Sequence, residues 1–138
     1  MKEETNWIVQ KIDEHKRQNV PDILITLGDM DVLIECKTCT KKSALINKEE
    51  SWAILQKAAD FDNKMRRVTL GKPAFDEHSK TKAQAATDIT LVEHHIFMEG
   101  LLRVLSGTVS AKNFLQWLGT PGVSEIERLE GKATYSLP

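Results

Sequence analysis

The chain has 138 residues, of which 41% are apolar and 28% charged, and its formal charge is −1. That length and balance suit one domain over residues 1–138 with an ordinary hydrophobic core. No run of 18 or more apolar residues occurs, and the polar, acidic start MKEETNW does not read as a secretory signal, so a soluble, cytoplasmic protein away from membranes is expected. The balanced charge also excludes a uniformly basic nucleic-acid binder. Local clusters such as KTCTKK (residues 37–42) and KMRR (residues 64–67) remain as possible contact stripes.

In chain order, residues 2–18 predict an amphipathic helix, with Trp7, Ile8 and Ile12 on one side. Asn19-Val20-Pro21 ends it, because the residue before proline avoids the helical region. Ile23 to Leu27 and Val32 to Ile34 then flank Gly28-Asp29 and predict a β-hairpin with a two-residue turn. The run around Val32 to Ile34 is apolar on both faces, as in a central strand. Thr38 to Lys48 predicts a polar, basic loop, and Asn47 a cap for a helix from Lys48 to about Arg67, on which Ile54, Ala58, Phe61 and Met65 share a face. Val68 to Phe75 predicts a short extended run broken by Gly71 and Pro73, and 76–87 a loop. Ile89 to Val92 predicts a strand, 92–105 fits strand or helix, and Ser110 caps a helix over Ala111 to Leu118, closed by Gly119.

The hairpin carries the candidate chemistry. A two-residue turn pairs position 22 with 35, so Asp22 faces Glu35 with Cβ atoms about 5 Å apart. Like charges so placed destabilise a sheet unless a positive charge, such as a divalent cation, lies between them. Lys37 follows Glu35 on the same face, and Cys36 points to the other. Carboxylate oxygens suit Mg²⁺ or Mn²⁺, and a neighbouring lysine can orient water or neutralise charge, a set suited to phosphodiester hydrolysis.

Cys36 and Cys39 form C-x-x-C, but no second ligand pair completes a zinc site, and a cysteine within a strand lacks the helix N-terminus of a redox motif. Buried thiols are expected. His94 and His95 are adjacent and diverge in either a strand or a helix, so they make a poor pair of ligands.

Pro21-Asp22 followed by Glu35-Cys36-Lys37 resembles the PD-(D/E)xK nuclease motif, and PDILITLGDMDVLIECKT resembles the matching segment of archaeal-type Holliday junction resolvases over about residues 20–40. The resemblance implies an α/β, restriction-endonuclease-like core, a small mixed β-sheet flanked by helices. It implies a Mg²⁺- or Mn²⁺-dependent endonuclease in which Asp22, Glu35 and the Cys36 carbonyl bind the metal and Lys37 positions the attacking water. Branched DNA is the implied substrate and a homodimer the implied assembly, with Ile96 to Leu105 as a candidate dimer surface. Two further residues are candidates. Glu4 is placed as the resolvase family's helix glutamate, or else as a first-turn acid favoured by the helix dipole. Gln56 stands where related nucleases point a glutamine or lysine toward the metal, or else is a surface glutamine. Lys37, Lys41, Lys42 and Lys48 are the expected DNA contacts. The region before the motif is short and acidic, unlike the basic, glycine-containing segment of those resolvases. Flaps, nicks or duplex DNA cut by a phage or mobile-element nuclease, and a non-catalytic binding module, are the alternatives.

Overall fold

A computed structural model describes residues 7–12, 20–41 and 44–129. The described chain is α/β, with one mixed six-stranded sheet in the sequential order β1-β2-β3-β4-β5-β6. The strands are β1 (Ile8–Lys11), β2 (Ile23–Leu27), β3 (Met30–Thr38), β4 (Arg66–Lys72), β5 (Thr90–Glu93) and β6 (Gly122–Val123). The helices are α1 (Lys48–Lys57), α2 (Glu77–Gln84), α3 (His94–Leu105) and α4 (Ala111–Leu118). Strands β1 to β3 run antiparallel to their neighbours, and β3 to β6 run parallel. Parallel neighbours need crossovers, and the helices supply them.

Side-chain alternation divides the core in two. Val32, Ile34, Val68 and Val92 pack on one side with Phe114, Leu115 and Leu118 of α4. Leu33 and Leu91 pack on the other with Ile54 of α1 and Ala83 of α2. The sheet is therefore covered on both faces, and β3 is a central strand whose residues 32–35 are all buried.

The hairpin turn falls where the sequence places it, with Leu27 opposite Met30, Thr26 opposite Asp31 and Gly28 at φ +60°. Asn47 and Ser110 cap α1 and α4 through side-chain oxygens that accept from the Glu50 and Asn113 N–H groups, and α4 spans the predicted residues.

Four expectations are corrected. Residues 8–11, placed in the N-terminal helix, form the edge strand β1 against β2; β-branched Ile8 and Val9 suit a strand, while 2–6 and 13–18 lie outside the described residues. The helix expected to reach Arg67 stops at Lys57, since Asp60 to Asn63 favour turns and the Lys64 N–H closes one on Asp62 Oδ1 at 2.9 Å. Phe61 and Met65 still pack beside Ile54 and Ala58, but from the turn that leads into β4. Gly71 does not break its strand; its missing Cβ admits the Phe75 ring, whose nearest carbon would stand 2.6 Å from a side chain there. The segment 76–87, expected as a loop, holds α2, capped by the Asp76 carboxylate on the Ser79 N–H at 2.8 Å. Residues 94–105 resolve as helix, with Ile96, Phe97, Leu101 and Val104 packed on the core.

Candidate active site

Glu35 sits in the middle of β3, between Thr69 of β4 on one side and the N-terminal end of β2 on the other. It is 1% exposed. Burying a carboxylate is costly unless partners compensate, and two cations do so. Lys37 Nζ, two residues along the same face, stands 3.4 Å from Glu35 Oε2. Lys57 Nζ, from the end of α1, also donates to Oε2. The other oxygen, Oε1, is buried with no hydrogen-bond partner among the described residues.

The expected face-to-face pairing of Asp22 with Glu35 is modified. The β2–β3 ladder ends at Ile23 opposite Ile34, and the Asp22 N–H then donates to the Ile34 carbonyl at 3.0 Å. This slip of one residue carries the Asp22 carboxylate over the Glu35–Cys36 peptide, where Oδ2 accepts from the Cys36 N–H at 2.7 Å. The carboxylates thus share one end of the hairpin. The positive charge expected beside them comes in part from the protein itself, as the ammonium groups of Lys37 and Lys57.

The site therefore assembles Asp22, Glu35 and Lys37 from the motif and adds Lys57, which the sequence reading missed. Gln56, its neighbour, is exposed and takes no part in these contacts. The available signal was helical spacing: Lys57 lies three residues after buried Ile54 and one before buried Ala58, on the flank of α1 that faces the sheet. Glu4 lies outside the described residues. Cys36 is exposed and Cys39 half-buried, which corrects the expectation of two buried thiols.

The residues fit a hard divalent ion in one respect. Glu35 Oε1 is a buried acceptor with no hydrogen-bond partner among the described residues, and the Asp22 carboxylate is held against the next residue of β3 by the Cys36 N–H. No group of three or more His, Cys, Asp or Glu side chains converges for a metal among the described residues, so any ion here would need backbone and water ligands besides the two carboxylates, as Mg²⁺ commonly takes.

Of the expected DNA contacts, Lys37 is half-buried at the site, Lys41 is exposed beyond the end of β3, Lys48 is exposed at the start of α1, and Lys42 lies outside the described residues. His94 and His95 open α3, one half-buried and one exposed. Glu93 beside them is structural: Oε2 accepts from the Phe75 N–H at 3.1 Å and from Lys80 at 3.1 Å. No helix of the described residues is long and apolar enough to cross a membrane. Comparisons with protein families, with curated proteins and with solved structures find no match to this chain.

Proposed function

We propose that this chain is a divalent-metal-dependent endodeoxyribonuclease of the PD-(D/E)xK type with a restriction-endonuclease-like core. The observation that carries this reading is Glu35 Oε1, a buried acceptor on a central strand with no partner among the described residues, in a carboxylate whose Oε2 meets Lys37 and Lys57 and whose chain neighbour Cys36 donates its N–H to Asp22. Asp22, Glu35 and the Cys36 carbonyl would hold Mg²⁺ or Mn²⁺. Such an ion, when bound, polarises a phosphate and acidifies water. Lys37 orients that water and neutralises charge gathering on the phosphate oxygens. Lys57 grips Oε2 of Glu35 and so fixes the direction of Oε1. The products are a 5′-phosphate and a 3′-hydroxyl.

Branched DNA is the substrate class proposed, on the likeness of residues 20–40 to junction resolvases, with flaps and nicks as near alternatives. A homodimer suits paired cuts, and exposed Met98, Leu102 and Leu105 of α3 form the surface proposed for it. One observation favours a non-catalytic binding module instead: Lys57 already satisfies Oε2, as a purely structural ion pair would.

The test is a panel of end-labelled linear, nicked, flap and four-way DNA incubated with Mg²⁺, Mn²⁺ or chelator. Cleavage that needs the metal and is lost in Asp22→Asn and Glu35→Gln supports the nuclease. Cleavage unchanged in both variants removes the site assignment, and no cleavage of any substrate favours the binding module.

A further inference from the structure

A concavity lies at the end of the parallel strands opposite to Lys37. It has a volume of about 440 Å³, and three segments wall it: Asn63–Arg67 entering β4, Thr87–Thr90 entering β5, and Gly119 with Pro121 between α4 and β6. Its size falls in the range of about 300–1,000 Å³ typical of small-molecule sites.

The walls are held by the protein's own hydrogen bonds. The Arg67 guanidinium donates to the Met65 carbonyl at 2.8 Å and the Ala58 carbonyl at 3.3 Å, the Thr90 hydroxyl to the Thr120 carbonyl at 2.9 Å, and the Gly122 N–H to the Ile89 carbonyl at 3.0 Å. Two cations remain uncommitted. Lys64 and Arg66 are exposed, and neither pairs with a carboxylate among the described residues. Arg66 is also seated: its stem crosses Gly119, where an added Cβ would stand 2.8 Å from Cγ. A larger residue there would displace that stem.

With Arg67 bonded to backbone carbonyls, Lys64 and Arg66 are the cations left for a ligand; the lining carboxylate is Asp88, with Asp62 on the Lys64 N–H, and the net positive charge that remains suits an anion. The remaining lining is mixed. Met65 and Pro121 offer apolar contact, and Asn63, Thr87 and Asp88 offer hydrogen bonds. An inorganic anion would leave these unused, whereas a nucleotide would use both halves, with its phosphate on Arg66 and Lys64 and its base or sugar against the rest. We infer that this concavity is a binding site for a nucleoside 5′-phosphate, either free or as the 5′-phosphorylated end of a DNA strand. The inference stands apart from the nuclease reading, since it uses none of the residues around Glu35.

The test uses the purified chain with calorimetry and amide NMR. The probes are deoxynucleoside 5′-monophosphates, inorganic phosphate, an unphosphorylated deoxynucleoside, and a short single strand with and without a 5′-phosphate. Saturable binding of the monophosphates is expected, with amide shifts centred on residues 63–67 and 87–90. Affinity should fall about tenfold or more in Lys64→Ala/Arg66→Ala and should fall in Gly119→Ala. A circular-dichroism melt checks that each variant is folded. Tighter binding of the phosphorylated strand than of the free nucleotide, with the same shifts, assigns the strand end as the source. Absence of saturable binding, inorganic phosphate binding as tightly as the nucleotides, or affinity unaltered in a folded double variant each overturns the site.

Discussion

The ammonium of Lys57, at the end of α1, is bonded to Oε2 of Glu35, a carboxylate 1% exposed in the central strand β3. This contact ties the helix that covers one face of the sheet to the residue on which the proposed chemistry depends. Lys37 is the second cation on the same oxygen, so Glu35 lies between two positive groups instead of facing an uncompensated negative one.

Lys57→Met should destabilise the fold, because Glu35 then keeps only the longer contact with Lys37. The loss is expected at about 1–3 kcal/mol, the cost of leaving a buried charged group underpartnered. Glu35→Gln alone leaves two ammonium groups close together and should also lose stability. The double variant should be more stable than the two separate losses predict, by a coupling of roughly 1 kcal/mol or more. Urea unfolding of the four proteins measures this; additive losses would mean that the Lys57–Glu35 pair contributes nothing specific.

Lys37→Ala should separate rate from ion binding. In the proposed site Lys37 acts on water and phosphate and does not ligate, so single-turnover cleavage at saturating Mn²⁺ should drop about 10²-fold or more. Calorimetric Mn²⁺ affinity should hold or rise, since a positive neighbour of Glu35 has been removed. A variant that binds Mn²⁺ poorly yet cleaves normally once saturated would place Lys37 in ion binding instead.

The hairpin was legible because its information is local: a two-residue turn at Gly28-Asp29 and an apolar run on each side determine which residues oppose one another. The Asp22 slip was not, since it depends on a single backbone bond to Ile34 at the end of the ladder. Lys57 was hidden for a different reason. Ile54, Ala58, Phe61 and Met65 keep helical spacing beyond the true end of α1, so periodicity puts Lys57 on the flank of a helix but does not show that its ammonium meets a buried carboxylate of β3, which is a tertiary contact. Ile8 and Val9 fit either a helix face or an edge strand, and pairing with β2, a tertiary event, decides the strand. Gly71 reads as a breaker in sequence, yet its role is to make room for a ring four residues later.

Asp76 gives α2 a pH dependence. The Ser79 N–H donating to its carboxylate is the main cause that holds Asp76 below the ordinary value of 3.8, with the Ser79 hydroxyl and the charges of His78 and Lys48 adding to it. A depressed folded-state pKa means that the stabilisation is complete above the unfolded value and disappears as pH falls through the folded one. Asp76→Ala should therefore cost about 1 kcal/mol near neutral pH, and the gap from the parent protein should narrow once pH drops well below 3.8. Asp76→Asn keeps a capping oxygen without the charge and should show the smaller loss at neutral pH. Urea midpoints at several pH values check the sign; a gap that widens in acid would contradict it.

Lys41 and Lys48 should carry DNA affinity without carrying catalysis. Lys48 starts α1 and Lys57 ends it, so at 1.5 Å per residue they lie roughly 14 Å apart along the helix axis. That separation exceeds the Debye length at physiological salt, about 8 Å, so Lys48 acts on the phosphates it touches and not on the ion site. Each phosphate neutralised releases condensed counterions, contributing about −0.9 to the log-log salt slope on duplex DNA. Lys41→Ala/Lys48→Ala should flatten the slope by one to two such contacts and weaken binding to all sequences alike, while cleavage at saturating DNA stays near the parent rate. Affinity for branched DNA is measured across a salt series with Ca²⁺ replacing Mg²⁺ to suppress cutting. An unchanged slope in the double variant would move the DNA-contacting surface off this end of the sheet.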